Sequence, residues 1–503
     1  MRLLDIFIAT LIVFPWVTEW GSFEGTSMEL PDYALPLLVV ALVVYAVFNW
    51  RRVSWQARLR SGAAVLVSVA VLWWLFENYR DVSTRAIWNL THGPSAVLVV
   101  ALVAAAIRRY STEPWERSFF VRLGRSVGRA WLDALERSGP RPLWVVAAVV
   151  GVGLFCVSLL RHWKIDSHGY DLGIFTNVMW NLTHGNGYVS AVKGGINLFA
   201  DHQSPTYWLL APVFWLVPRP ETLLFVQALG LAAGGPALYY LARRHFEAGH
   251  WAPAALPWLY WAYLPTRNAN AFDFHPEVFM LPLFLWAFVG FASDRRWAKA
   301  LGFAALVAAL GTKESAPVVA VGIGVAWALT GGGWRGAALA VAGVALFLFD
   351  VKVVAPMFGA DYGYMNLYGR FGGGIGDLLL APFTQPGYFL SQLINAERLN
   401  FLFWTLAPLG FLPLFDWRAA LAALPPYLML LLAEGDQRVR IVFHYGIEPG
   451  SALFWALPLG VAACARRFGW QRTGLWMLFW AVAAYGPGEM ERARSFLPEP
   501  ETE

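Results

Sequence analysis

The chain has 503 residues, of which 58% are hydrophobic, 16% aromatic and only 14% charged, with a mean hydropathy of +0.50. Soluble domains carry roughly 25% charged residues, so this composition excludes a soluble enzyme, a disordered scaffold and a collagen-like chain. The net charge of +5 is carried mostly by arginines beside apolar stretches, the pattern of cytoplasmic flanks rather than of a nucleic-acid surface.

Apolar stretches of about 14–22 residues without strand-like alternation predict membrane-spanning helices rather than barrel strands. The expected fold is therefore all-α and polytopic, with a core of about 10–11 spans preceded by four further spans. Those four fall near 3–17, 34–50, 62–77 and 94–107, inside a first region 1–107. The uncleaved look of the first stretch, Leu3 to Val17, makes it a span rather than a removed leader.

Region 108–141 is the most basic, with Arg117, Arg122, Arg125, Arg129, Arg137 and Arg141, and with Phe119, Phe120, Leu123, Val127, Trp131 and Leu135 at helical spacing. It reads either as an amphipathic helix on an anionic leaflet or as a plain cytoplasmic linker. The core region, 142–486, opens with a span near 143–160. Two long exterior loops, 161–204 and 357–399, interrupt it, and an acidic tail occupies 487–503.

Orientation follows from the arginines. With 108–141 inside, Arg243, Arg244, Arg295, Arg296, Arg335, Arg466 and Arg467 are also inside, provided 205–242 crosses once. Pro212, Pro218 and Pro220 make 205–217 the expected half-depth piece. Four polar stretches then share the exterior: 161–204, 267–277, 357–399 and 434–447. The chain is expected in the cytoplasmic membrane with its active face outside, among membrane lipids and without nucleic acid; the sequence specifies no oligomeric state.

Two identical hexamers, Trp88–Gly93 and Trp180–Gly185, read as interfacial tryptophan anchors or as traces of a duplicated loop. Cys156 and Cys464 fit no metal or redox spacing and read as small core residues.

Polar groups inside a membrane protein are costly unless they face water, protein or substrate. Six of the nine histidines lie in the exterior stretches: His162, His168, His184, His202, His275 and His444. Five clusters stand out. Asp171, within His168–Phe175, is either a carboxylate poised as general base or the N-cap of a short helix from Leu172 to Leu182. Asp201 and His202 precede Ser204 and Pro205, which by themselves suggest an ordinary helix start. Asp273, His275 and Glu277 form a five-residue acid–histidine run that suits a shared metal or phosphate, or a solvated turn. Lys313 and Glu314 sit at a hairpin tip, as a local ion pair or a phosphate neutraliser. Arg370, Arg398, Arg438 and Arg440, with His444 and Tyr445, offer cations outside, either for an anionic phosphate or for lipid headgroups. No Walker loop, GxSxG, HExxH or CxxC is present, and Gly372–Gly374 reads as a flexible loop.

Taken in order, Tyr170-Asp171-Leu-Gly-Ile-Phe175, His202-Gln-Ser204-Pro205, Asp273-Phe-His275-Pro276-Glu277, Lys313-Glu314, Pro408 to Leu414 and His444-Tyr445 resemble a family of predicted bacterial and archaeal membrane proteins of unknown function. That family is grouped with the GT-C glycosyltransferases. The resemblance covers about residues 145–465, with Asn177 where the family carries Gln, and the first four spans look like an addition.

The resemblance implies transfer of a sugar from a polyprenyl-phosphate donor to an exterior lipid, glycan or protein, with Asp171 as the loop acid. It implies Asp273 or Glu277 as a second acid near the donor phosphate or a divalent metal, Mg or Mn, with Asp171, His275 or Glu277 as its ligands. No other cofactor is expected. His202, His275, Lys313, Glu314, Arg370, His444 and Tyr445 are the expected substrate contacts, with Arg370 or nearby cations facing the phosphate charge and loop 357–399 closing over the donor. The competing class is a transporter or lipid flippase, which predicts inverted repeats and helices broken at the midplane.

Overall fold

The computed structural model describes residues 119–165, 169–359, 363–372, 375–478 and 480–481. The expected spans in 1–107, the Trp88 hexamer, Asp166, His168, Gly373, Gly374 and the tail 487–503 lie outside the described residues. The chain divides into two compact units, residues 135–477 and residues 1–134 with 478–503. Of the second unit, only 119–134, 478, 480 and 481 are described, the first of these as part of the helix Phe119–Ser138, in line with the helical spacing of its apolar residues.

The protein is an all-helical polytopic membrane protein. Among the described residues the one sheet is a two-residue ribbon pairing Val189 with Asn197 and Ser190 with Ile196. Four described helices are long and apolar enough to cross a bilayer: Arg141–Trp163, Pro220–Ala242, Trp334–Met357 and His444–Phe468. Other apolar stretches are built from shorter helices, including Tyr207–Leu216, Pro276–Phe291, Ala316–Gly332 and Trp417–Leu432. At 1.5 Å per residue, the ten residues of Tyr207–Leu216 reach about 15 Å, half a hydrocarbon core, as the prolines of that stretch suggest.

Packing is local hairpins around a central helix. Met280–Phe291 turns into Arg296–Leu310, and Ala316–Trp327 packs on Trp334–Phe349. The first hairpin closes tightly because Gly290 and Gly302 face each other; a Cβ on either would overlap the other's backbone. Ile447–Phe468 runs through the middle, against Met280–Phe291 and Ala316–Trp327, with most of its residues buried.

The two long polar loops are more ordered than their polarity suggests. Loop 161–204 contains the helix Gly169–Thr183, which ends at Gly185 with φ +79°, a conformation that suits glycine. The second hexamer is thus a helix end: His184 stacks on Trp180 at 4.0 Å, and the Asn181 amide donates to the Val189 carbonyl at 2.8 Å. Loop 357–399 is largely helical, with Gly363–Phe371, Ile375–Thr384 and Pro386–Leu393. Phe371, Ala381 and Leu432 form its small core, with Tyr368 and Phe389 packed against them. Cys464 is buried, as expected of a core residue, but Cys156 is exposed, which corrects that expectation.

Candidate functional site

Five chain segments far apart in sequence, 170–204, 275–277, 313–315, 364–368 and 429–448, converge on one cavity of about 230 Å³. Each is held by bonds that local sequence does not announce. Asp171 lies in the first turn of Gly169–Thr183, where the helix N-terminus favours a carboxylate. The helix starts two residues before it, so Asp171 is not the N-cap. Segment 201–206 is tied to the hairpin tip: Thr206 N–H donates to the Gly311 carbonyl and its hydroxyl to the Ala308 carbonyl, both at 2.9 Å. Thr206, not Ser204, takes the cap position of the following helix, and the Ser204 hydroxyl is buried without a partner.

Two polar networks line the cavity. In the deeper one, Glu277 accepts from Lys313 Nζ at 2.6 Å and meets His444 Nε2 at 3.1 Å. The His275 and His444 rings stack at 3.8 Å, and His275 Nε2 lies 3.8 Å from Asp171 Oδ2. Glu448 reaches in from the central helix and accepts from the Ser315 hydroxyl at 3.3 Å. In the outer network, His202 Nδ1 lies 3.0 Å from Glu314 Oε1 and its Nε2 2.9 Å from the Tyr364 hydroxyl. Lys193 pairs with Asp201 beside them.

Burial opposes the Lys313 charge, but Glu277, Glu448 and Glu314 outweigh it and hold the ammonium well above the usual lysine range. Burial likewise opposes ionisation of Glu314, and His202 and Lys313 prevail to keep its pKa low. Asp201 follows the same logic, with burial overcome by His202 and Lys193. His275 goes the other way: burial first, then His444, push it down to about 3, so its ring is neutral.

Of the residues expected from sequence, Asp171, His202, His275, Glu277, Lys313, Glu314, His444 and Tyr445 all line this cavity. Two do not. Asp273 is buried at the end of Leu264–Phe272, off the cavity wall, with its carbonyl accepting from Gln227. Arg370 is drawn to Gln392 and, at 3.6 Å, to Glu434, because loop 357–399 packs against the end of the helix Leu424–Leu432. Arg398 is likewise structural, bonded to the Leu431 and Ala433 carbonyls. Of the four arginines expected near it, the one that does reach the cavity is Arg438, over the Tyr445 ring at 5.8 Å.

The residues also do not fit a divalent ion. Among the described residues no three His, Cys, Asp or Glu side chains are grouped to hold one, and Glu277 Oε1 is already engaged by Lys313 and His444.

Gln227, Tyr364 and Glu448 were not singled out from sequence. Gln227 and Glu448 each carried a signal, a lone polar group inside an apolar run. Tyr364 carried none beyond its place in an aromatic loop.

Residues 161–484 match the family described as predicted membrane protein (DUF2079), well over half of the chain, and the chain belongs to that family. No curated protein matches it. Among solved structures it is similar to ArnT from Cupriavidus metallidurans, crystallised bound to undecaprenyl phosphate. That likeness has 14% identity and a TM-score of 0.37, and covers 70% of this chain and 78% of the other. So slight a likeness assigns no substrate.

Proposed function

We propose that this protein is a membrane glycosyltransferase of the GT-C kind, moving a sugar from a polyprenyl-phosphate donor to an acceptor on the exterior side of the membrane. One observation carries the reading: a partly exposed carboxylate, Asp171, shares a cavity with the cations Lys313 and Arg438 and with the apolar side chains Ile174, Leu367, Met429 and Leu430. A lipid-linked sugar phosphate needs those three surfaces together. A soluble sugar phosphate would not need the apolar one.

In this reading Asp171 takes the proton from an acceptor hydroxyl as its oxygen attacks the sugar carbon. The bond from that carbon to the phosphate oxygen breaks, and polyprenyl phosphate leaves with its negative charge facing Arg438 and Lys313. Arg438 suits the role because it makes no carboxylate pair among the described residues, unlike Lys313 and Lys193. Glu277 sets the position of Lys313 and does not act as a second base. The apolar wall takes the first prenyl units.

The test is transfer from a panel of radiolabelled polyprenyl-phosphate sugars by purified wild type and Asp171→Asn, with and without divalent metal. Turnover by wild type with a loss of about 10²–10⁴-fold in the variant is expected. Full activity in Asp171→Asn removes its role. A folded wild type inert on every donor sinks the transferase reading and turns attention to lipid transport, measured as flux.

A further inference from the structure

Two histidines on the cavity wall are arranged alike. The His275 and His444 rings stack with 24° between their planes, and each turns Nε2 towards a carboxylate. For His444 this is Glu277 Oε1 at 3.1 Å, and for His275 it is Asp171 Oδ2 at 3.8 Å. On both rings Nδ1 is buried without a hydrogen-bond partner. This asymmetry selects a tautomer. A proton on Nδ1 would be a buried donor with no acceptor, and it would leave the Nε2 lone pair facing carboxylate oxygen. A proton on Nε2 removes both penalties.

The ring is also fixed in place. Gln227, fully buried, accepts the His275 backbone N–H and donates to the Asp273 carbonyl, both at 2.9 Å. Phe175 meets the ring edge-on at 5.3 Å, and Phe272 covers it at 5.4 Å. The ionisable groups facing it are His444, Glu277, Asp171 and Lys313. A second positive charge so close to Lys313 and the other imidazole is unfavourable. What remains adjustable is Asp171, whose side chain keeps 32% of its exposure.

We propose that His275 is a positioning residue for Asp171: as a neutral Nε2–H donor, backed by the His444 stack and the Gln227 clamp, it aims the carboxylate at the acceptor hydroxyl. The inference rests on the transferase reading for the acceptor, but not for the contact itself. His275 lends a hydrogen bond and gives up no proton; the acceptor's proton ends on Asp171. The 3.8 Å gap closes by rotation of Asp171 when the acceptor is bound, as catalytic hydrogen bonds do on loading.

Two measurements on the full-length protein test this. The first is nitrogen-15 spectroscopy of histidine-labelled protein, with the His275 ring assigned by its loss in His275→Gln. A protonated Nε2 with a bare Nδ1, shifted by Asp171→Asn while His444 stays in place, is expected. A protonated Nδ1, or a ring indifferent to Asp171→Asn, overturns the proposal whatever the activity.

The second is transfer kinetics. His275→Leu should lose on the order of 10²-fold in kcat with the donor KM unchanged. His275→Gln, whose amide N–H replaces Nε2–H, should recover activity to within about tenfold of wild type. His275→Leu should cost nothing further on top of Asp171→Asn. A loss expressed in KM, or one independent of Asp171, overturns the positioning role. If His275→Leu does not fold, the pH profile of His275→Gln decides: it should keep the acid limb of wild type, and a vanished limb overturns the proposal. An inert wild type that carries the expected nitrogen signature sinks the transferase reading and leaves the contact standing.

Discussion

Two long helices of this protein invert the usual relation between hydropathy and burial. Arg141–Trp163 is the more apolar, yet only 22% of its apolar stretch is buried inside the protein. His444–Phe468 is less apolar, and 89% of its apolar stretch is buried. In water the apolar helix would be the core. Beside lipid, the exposed Val145, Val149, Val152 and Leu160 of the first cost nothing and earn little. The central helix can carry His444 and Glu448 because protein partners, not lipid, surround them. In this fold the polar positions within apolar stretches, not the apolar maxima, mark the centre.

The comparison predicts where substitutions hurt. The largest effect should come from Lys313→Met, which leaves Glu277 buried with His444 alone; a loss of about 3–5 kcal/mol is expected, read as a drop in the thermal midpoint in detergent. Gln227→Leu should follow, leaving the His275 N–H and the Asp273 carbonyl unpaired in the interior, at about 1 kcal/mol for each group.

Acid should act more gradually. His275 titrates at about 3 when folded and at its ordinary 6.5 when unfolded, so the unfolded chain takes up the proton first as pH falls. Its contribution is therefore fully present above pH 6.5 and is lost progressively from there towards pH 3. His275→Gln should flatten that part of the midpoint-against-pH curve. The smallest effect should be Val149→Ala on the outer helix, within about 0.5 kcal/mol of wild type, since the side chain is 67% exposed. A large loss there would mean that the face is covered by protein and would break the comparison.

The cavity was partly legible in the chain because polar residues in a membrane protein are selected against without a purpose. That rule picked out Asp171, His202, His275, Glu277, Lys313, Glu314, His444 and Tyr445, and the structure brings all of them together. It failed at Arg370 because a polar group can be satisfied by structure as well as by a ligand, and at Asp273 because the turn buries that residue off the cavity wall. Arg370 found Glu434 and Gln392, and Asp273 found its place in the turn that Gln227 clamps.

Composition and hydropathic period alone determined the class of this protein, an all-helical membrane chain with its polar clusters at the ends of apolar stretches, because lipid admits few alternatives. The tertiary structure decided which acid faces the cavity and which is buried beside it, and which arginine faces inward. Those choices depend on bonds such as that from Gln227 to His275, made across 48 residues of chain. No local pattern encodes them.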